Sequence, residues 1–143
     1  MSAPGHVLIS VEERHAENIL SGAKQVELRR RSMKIAPGAS VWLYAKVPVG
    51  SIVGFATVRQ IHRLSPTAIW DQFGALTGLS RRELYKYFEG VKQGFVLELT
   101  GAQRMRSSIP LEILRGLSEK FQPPQFFVNI PCGHPIYEAV TAS

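Results

Sequence analysis

Apolar and polar positions change rhythm several times along this chain, and each change predicts an element. Val7-Leu8-Ile9-Ser10-Val11 is a short apolar run of strand length. Ala16, Ile19 and Leu20 then recur at helical spacing, which predicts a helix opened by a capping box between Ser10 and Glu13 and stopped by Gly22. From Lys24 to Arg31 the period falls to two, so a second strand is expected with Val26 and Leu28 on one face and Glu27 and Arg29 on the other. A core takes the first pair and leaves the second at a surface or cleft, with Lys24 reaching in from the turn. Ala36-Pro37-Gly38-Ala39 is a turn signal. Strand three, Val41 to Lys46, sets Val41, Leu43 and Ala45 against Trp42, Tyr44 and Lys46. Past Pro48-Val49-Gly50, a longer strand runs from Ile52 to His62, with Gly54 marking a bulge or a close backbone approach.

The middle of the chain turns helical. Ser65-Pro66 supplies a capping hydroxyl and a proline for the first turn, and Ile69, Trp70 and Phe73 form an apolar side. Ser80 and Glu83 have capping-box spacing and open a helix through Leu84, Tyr85, Tyr87 and Phe88 that ends near Gly90. Tyr85 and Tyr87 cannot share its inner face, so one of them is expected outside. Phe95, Leu97 and Leu99 alternate as a strand, Gly101 begins a turn, and Gln103 to Arg106 is expected to pair back. Ile109-Pro110 starts a short helix through Leu114, and Pro123-Pro124 forces an extended approach to Phe126-Phe127-Val128. Met1 to His6 reads as a loose start. Strands at both ends with helices between them disfavour a βαβ alternation. The expectation is α+β, a small mixed β-barrel with flanking helices, forming one domain over 1–143.

Charge and composition narrow the partners. Seventeen basic residues against eleven acidic leave a formal charge of +6, which draws polyanions in by long-range attraction and counterion release. The one cysteine, Cys132, excludes an internal disulfide. Cys132 and His134 lie two apart with no second pair at zinc spacing, so no metal is expected. Neither a phosphate-binding nor a dinucleotide fingerprint is present, so no cofactor is expected, and no G-x-S-x-G elbow marks a serine nucleophile. Val7 to Val11 is shorter than a secretory apolar core, and no run approaches the ~20 apolar residues of a membrane span. A cytoplasmic protein with no membrane partner is the expectation.

The candidate chemistry centres on Gly22-Ala23-Lys24-Gln25-Val26-Glu27-Leu28-Arg29. Glu27 and Arg29 are either an exposed ion pair worth ~0–1 kcal/mol or one wall of a site. Trp42, Tyr44 and Lys46, on a neighbouring strand, join rings that stack bases to a cation that neutralises phosphate. Trp42 also reads as plain core packing. Arg29-Arg30-Arg31, with Arg14 and Lys34, is either a solvated charged face or a phosphate-contacting rim. Arg81, Arg82, Lys86 and Lys92 make a second, looser basic cluster.

The octapeptide, G-x-K-x-x-E-x-R, resembles the signature of the ASCH domain, a member of the PUA-like superfamily of small β-barrels associated with RNA. Val41-Trp42-Leu43-Tyr44-Ala45-Lys46, Ile52-Val53-Gly54-Phe55, Tyr87-Phe88-Glu89-Gly90 and Pro123-Pro124-Gln125 follow in the order that family shows. The resemblance implies a PUA-like fold and an RNA or nucleotide-derived ligand, held by Lys24, Glu27, Arg29, Trp42, Tyr44 and Lys46. It also implies an alternative, since family members include amidohydrolases of acylated cytidine and proteins that cleave RNA. Lys24, Glu27, Tyr44 and Lys46 are then the candidate catalytic groups. Burial and Arg29 depress the pKa of Lys24 in that reading, against the pull of Glu27. The amidohydrolase members place a threonine nucleophile three residues after the lysine, where this chain has Glu27. That departure favours binding over a threonine-dependent attack.

Overall fold

A computed structural model describes residues 5–142. Its strands are β1 (His6–Val11), β2 (Val26–Arg29), β3 (Ser40–Ala45), β4 (Ser51–Leu64), β5 (Gly94–Pro110) and β6 (Val128–Asn129). The helices are α1 (Glu13–Ser21), α2 (Pro66–Phe73), α3 (Arg81–Tyr87), α4 (Leu111–Leu117) and α5 (Pro135–Thr141). The strands form one sheet in the order β2-β5-β4-β3-β1-β6, with β1 and β3 parallel and the other pairs antiparallel. Three register shifts between β4 and β5 and one between β3 and β4 bend these long strands, and the sheet curls into a half-barrel. The α+β architecture expected from the pattern is the one observed, with the curled sheet of the PUA-like fold that the family resemblance implies.

Both sheet faces are covered. Val7, Ile9, Val11, Val41, Leu43 and Ala45 pack against Ala16 and Ile19 of α1. Leu8, Trp42, Tyr44 and Ile52, on the opposite face, join Leu114 of α4 with Ile136 and Val140 of α5. Val26, Leu28 and Val96 form a third cluster with Ile69 and Phe73 of α2 and Leu84 and Phe88 of α3. Full burial of each such aliphatic side chain stabilises by roughly 1.5–3 kcal/mol, so the two-residue period of β2 is well anchored. Gly54 sits at the close approach its position suggested: a Cβ there lies 2.5 Å from the Gln103 carbonyl oxygen and 2.6 Å from Leu20 Cδ2.

Local chemistry explains which boundaries hold. Ser65 and Ser80 cap α2 and α3 as expected, and the Ser80–Glu83 box closes in both directions. The box between Ser10 and Glu13 does not form. Ser10 stays in β1, paired in register with Tyr44, and Glu12 precedes α1 with no side-chain cap. Gly22 ends α1 at φ 87°, its N–H bonded to the Ile19 carbonyl. The second strand is shorter than expected, because Lys24 and Gln25 send their N–H groups to Asn18 and Leu76 instead of a ladder. Gly101 does not turn the chain. At φ 62° it lies within β5, both halves of which pair with β4. The short helix expected from Ile109-Pro110 is α4, shifted to Leu111–Leu117. Helix α5 goes beyond the expectations, although His134-Pro135 is a start signal: the His134 side chain accepts from the Ile136 N–H. The loose start falls over 1–4 outside the described residues, and His6 already belongs to β1.

Candidate nucleic-acid interface

The turn after Gly22 and the first residues of β2 bring three charged side chains under cover. Lys24 is 2% exposed and Glu27 6%. The Glu27 carboxylate sits between two cations: Oε1 lies 3.7 Å from Lys24 Nζ, and Oε2 accepts from Arg29 Nη2 at 2.8 Å. Lys24 Nζ also donates to the Thr77 carbonyl oxygen. Arg29 Nη1 reaches across the chain to the Phe126 carbonyl oxygen at 3.1 Å. Buried charges persist where they are paired and hydrogen-bonded, and this row meets both conditions except at Arg29 Nε, which is buried without a hydrogen-bond partner among the described residues.

The electrostatics follow from that geometry. Burial pushes the Lys24 pKa below its ordinary value, Arg14 and Arg29 push the same way, and Glu27 opposes them. Burial alone raises Glu27, but Arg29 and Lys24 outweigh it and hold the carboxyl below its ordinary value. His15 of α1 faces the same row. Burial first, and Lys24 next, lower its pKa, while Glu27 pulls upward. Its Nδ1 is buried without a hydrogen-bond partner among the described residues.

This row is the floor of a cleft of about 1130 Å³. Arg14, Arg30, Arg31, Lys46 and Lys86 line it as well, so with Lys24 and Arg29 seven cationic side chains face three carboxylates, those of Glu12, Glu27 and Glu83. Arg14 is engaged with Glu83 at 2.6 Å, which leaves the rim beside Arg30, Arg31 and Lys86 strongly positive. Three aromatic rings, Tyr87, Phe126 and Phe127, complete the wall. Phe126 is 47% exposed, with the Arg31 guanidinium 4.6 Å from its ring centre. Tyr87 donates its hydroxyl to the Leu28 carbonyl at 3.0 Å, while Arg30 donates to the Tyr87 carbonyl.

Four of the six residues singled out from the sequence line this cleft: Lys24, Glu27, Arg29 and Lys46. Trp42 and Tyr44 do not. The facing wall expected from Trp42, Tyr44 and Lys46 is therefore corrected. Strand alternation turns Trp42 and Tyr44 toward the face covered by α4 and α5, where both are buried. Lys46 lies one residue beyond β3, and its N–H bonds the Val11 carbonyl, which carries it to the end of β1 beside the cleft. The aromatic role passes to Phe126 and Tyr87. Of the two tyrosines on α3, Tyr87 is the outer one, and Tyr85 bonds Thr67 instead. Phe126 was legible only as part of an extended segment, and His15 only as one of four histidines.

Comparison with known proteins supplies the family. Residues 5–121 match the family described as a domain of unknown function (DUF365). A curated protein of Zymomonas mobilis, named ASCH domain-containing ribonuclease, is 36% identical over 118 residues, covering 82% of this chain and 79% of that protein. The crystal structure of ASCH from Zymomonas mobilis superposes with a TM-score of 0.90 at 32% identity, covering 96% of this chain and 94% of that one. Human THYN1 protein, solved in complex with 5-methylcytosine-containing DNA, shares the fold at a TM-score of 0.60 and 8% identity, with 96% of each chain covered. Among the described residues, no helix is long and apolar enough to cross a membrane.

Proposed function

This chain belongs to the ASCH domain family, and from that premise we propose that its cleft binds a single-stranded RNA segment or a nucleotide-derived ligand. The observation that carries the reading is the junction of Phe126 with Arg31 above the buried Lys24–Glu27–Arg29 row. An exposed ring beside guanidinium groups stacks a base and neutralises its phosphate, and each base–aromatic stack is worth about 1–3 kcal/mol. An unstacked base of a single strand can lie on an exposed ring, which the paired and stacked bases of a duplex cannot do. Arg30, Arg31, Lys46 and Lys86 then hold the strand on either side of it.

Fluorescence anisotropy with labelled single-stranded RNA across a salt series tests the proposal. Affinity that falls linearly on a log–log salt plot, and single strands preferred over duplex, are expected. Binding no tighter than the non-specific range of ~10⁻⁴–10⁻⁶ M would refute it.

A second reading, RNA hydrolysis, is favoured by the ribonuclease name of the Zymomonas mobilis relative. In that reading the neutral His15 imidazole takes the proton of the strand's own 2′-hydroxyl as that oxygen bonds to phosphorus. The bond from phosphorus to the 5′-oxygen breaks with the leaving oxygen protonated by water, and Lys24 with Arg29 supplies positive charge near the phosphate. Glu27 in the signature speaks against attack by a threonine at that position. Incubation of the purified chain with end-labelled RNA, beside the His15→Ala variant, decides it. Intact RNA in both lanes refutes hydrolysis and leaves the binding proposal standing.

A further inference from the structure

Trp42 leaves the cleft only to face another cavity. On the opposite side of the sheet a pocket of about 480 Å³ opens, within the size range of small-molecule sites, and it shares no lining residue with the cleft. Its floor is aromatic. Trp42 and Phe55 lie 4.6 Å apart with their rings tilted by 39°, and His6 meets the edge of Trp42 with ring centres 6.3 Å apart and planes within 19° of each other. Gln103 and Thr141 bring amide and hydroxyl groups to the wall.

The charges on the rim are unequal. Arg104 is engaged with Glu17 at 2.6 Å. Arg106 is exposed and has no ion-pair partner among the described residues, so a full positive charge stands beside the aromatic floor. His6 adds a donor of defined identity. Its Nδ1 accepts from Trp42 Nε1 at 3.1 Å, which places the proton of the neutral ring on Nε2. Burial lowers the His6 pKa and favours that neutral form.

We propose that the Trp42–Phe55–Arg106 pocket is a second ligand site, which takes a nucleotide with its base on the half-buried Phe55 ring beside the margin of the buried Trp42 and its phosphate on Arg106. A purely apolar ligand leaves the Arg106 charge unused, and a bare anion leaves the rings unused. A planar heterocycle that carries a phosphate uses both. Two sources present that chemistry, a free nucleotide and a base on an RNA strand that also occupies the cleft. The site rests on residues the cleft does not use, so either one stands if the other fails.

The chain has two tryptophans, so Trp70→Phe leaves Trp42 as the reporter. Its fluorescence is followed during titration with AMP, with CMP and with a short single-stranded RNA. Saturable quenching is expected, weakened about tenfold by Arg106→Glu, the scale of one charge-assisted contact. The response to mononucleotides is expected to be unchanged by Arg31→Glu in the cleft. Quenching by mononucleotides identifies a free-nucleotide site, and quenching by RNA alone identifies a strand-bound base. No saturable change with any ligand, or a change indifferent to Arg106→Glu, overturns the proposal. The Trp42 indole N–H resonance of the unsubstituted chain reads the same titration if Trp70→Phe fails to fold.

Discussion

Replacing Glu27 by Gln is expected to destabilise the protein far more than replacing Lys24 by Met, although both remove half of the same ion pair. Glu27 faces Lys24 at 3.7 Å and Arg29 at 2.8 Å. At an effective dielectric near 20 those attractions are about 4.5 and 6 kcal/mol before desolvation is subtracted. Glu27→Gln keeps the shape but leaves two cations facing each other under cover, which places its cost at about 3–5 kcal/mol. Lys24→Met keeps the apolar stem, relieves the burial of an ammonium and leaves Glu27 paired with Arg29. Its main loss is the bond to the Thr77 carbonyl, at about 1–2 kcal/mol. In the double variant only Arg29 remains, and it is partly exposed, so the cost of Glu27→Gln is expected to fall by about half. Urea unfolding at neutral pH measures all three from the midpoint at a shared slope. A Glu27→Gln cost below about 1 kcal/mol, or one equal to that of Lys24→Met, refutes the claim that the carboxylate is the centre of the row.

Stability should fall in two steps on acidification. His15 has a depressed pKa in the folded state, so the unfolded chain takes up its proton first and stability drops as pH passes below 6.5. Glu27 is also depressed, so its contribution is present above 4.5 and is lost as pH falls through its folded value. Thermal melts across pH should show His15→Gln shrinking the upper step, to which the depressed His6 also contributes, and Glu27→Gln shrinking the lower, which Glu17 and Glu83 share. For Lys24 the sign is the same but the window is alkaline: its depressed pKa makes stability rise with pH between the folded value and 10.5, and Lys24→Met should flatten that limb. In RNA binding, Arg30→Ala or Arg31→Ala should each lower the salt slope by about 0.7, whereas Phe126→Ala should weaken single strands by about 1–3 kcal/mol with the slope retained. Gly54→Ala should cost about 1–3 kcal/mol in urea unfolding, because its Cβ meets the Gln103 backbone. Gly116→Ala, in the last turn of α4 with nothing within 4 Å, should instead stabilise by about 0.5 kcal/mol.

Local chemistry was readable wherever a signal and its effect lie within a few residues. Gly22 stops α1, Ser65 and Ser80 cap their helices, and the alternation of Val26 and Leu28 puts them in the core. The octapeptide likewise disclosed the Lys24–Glu27–Arg29 row, because its spacing is the period of a strand that begins at a tight turn. Where two readings competed for one residue, tertiary pairing decided. Ser10 suits a cap, yet the parallel ladder with β3 holds it in β1. Gly101 suits a turn, yet the pairing of β5 with β4 carries the strand through it.

The composition of the cleft lay further from reach. Alternation along β3 says that Trp42 and Tyr44 share a face, but not which face meets the charged row. That choice follows from the order of the sheet and from the helices that cover each side. It sends Trp42 to a different pocket and hands the aromatic wall to Phe126, a residue 97 positions from the Arg29 that bonds its carbonyl. Sequence by itself determined which side chains carry charge and which strand presents them. Only the tertiary structure decided that the charges are buried and which rings stand beside them, because burial and proximity belong to chain segments that meet across the fold.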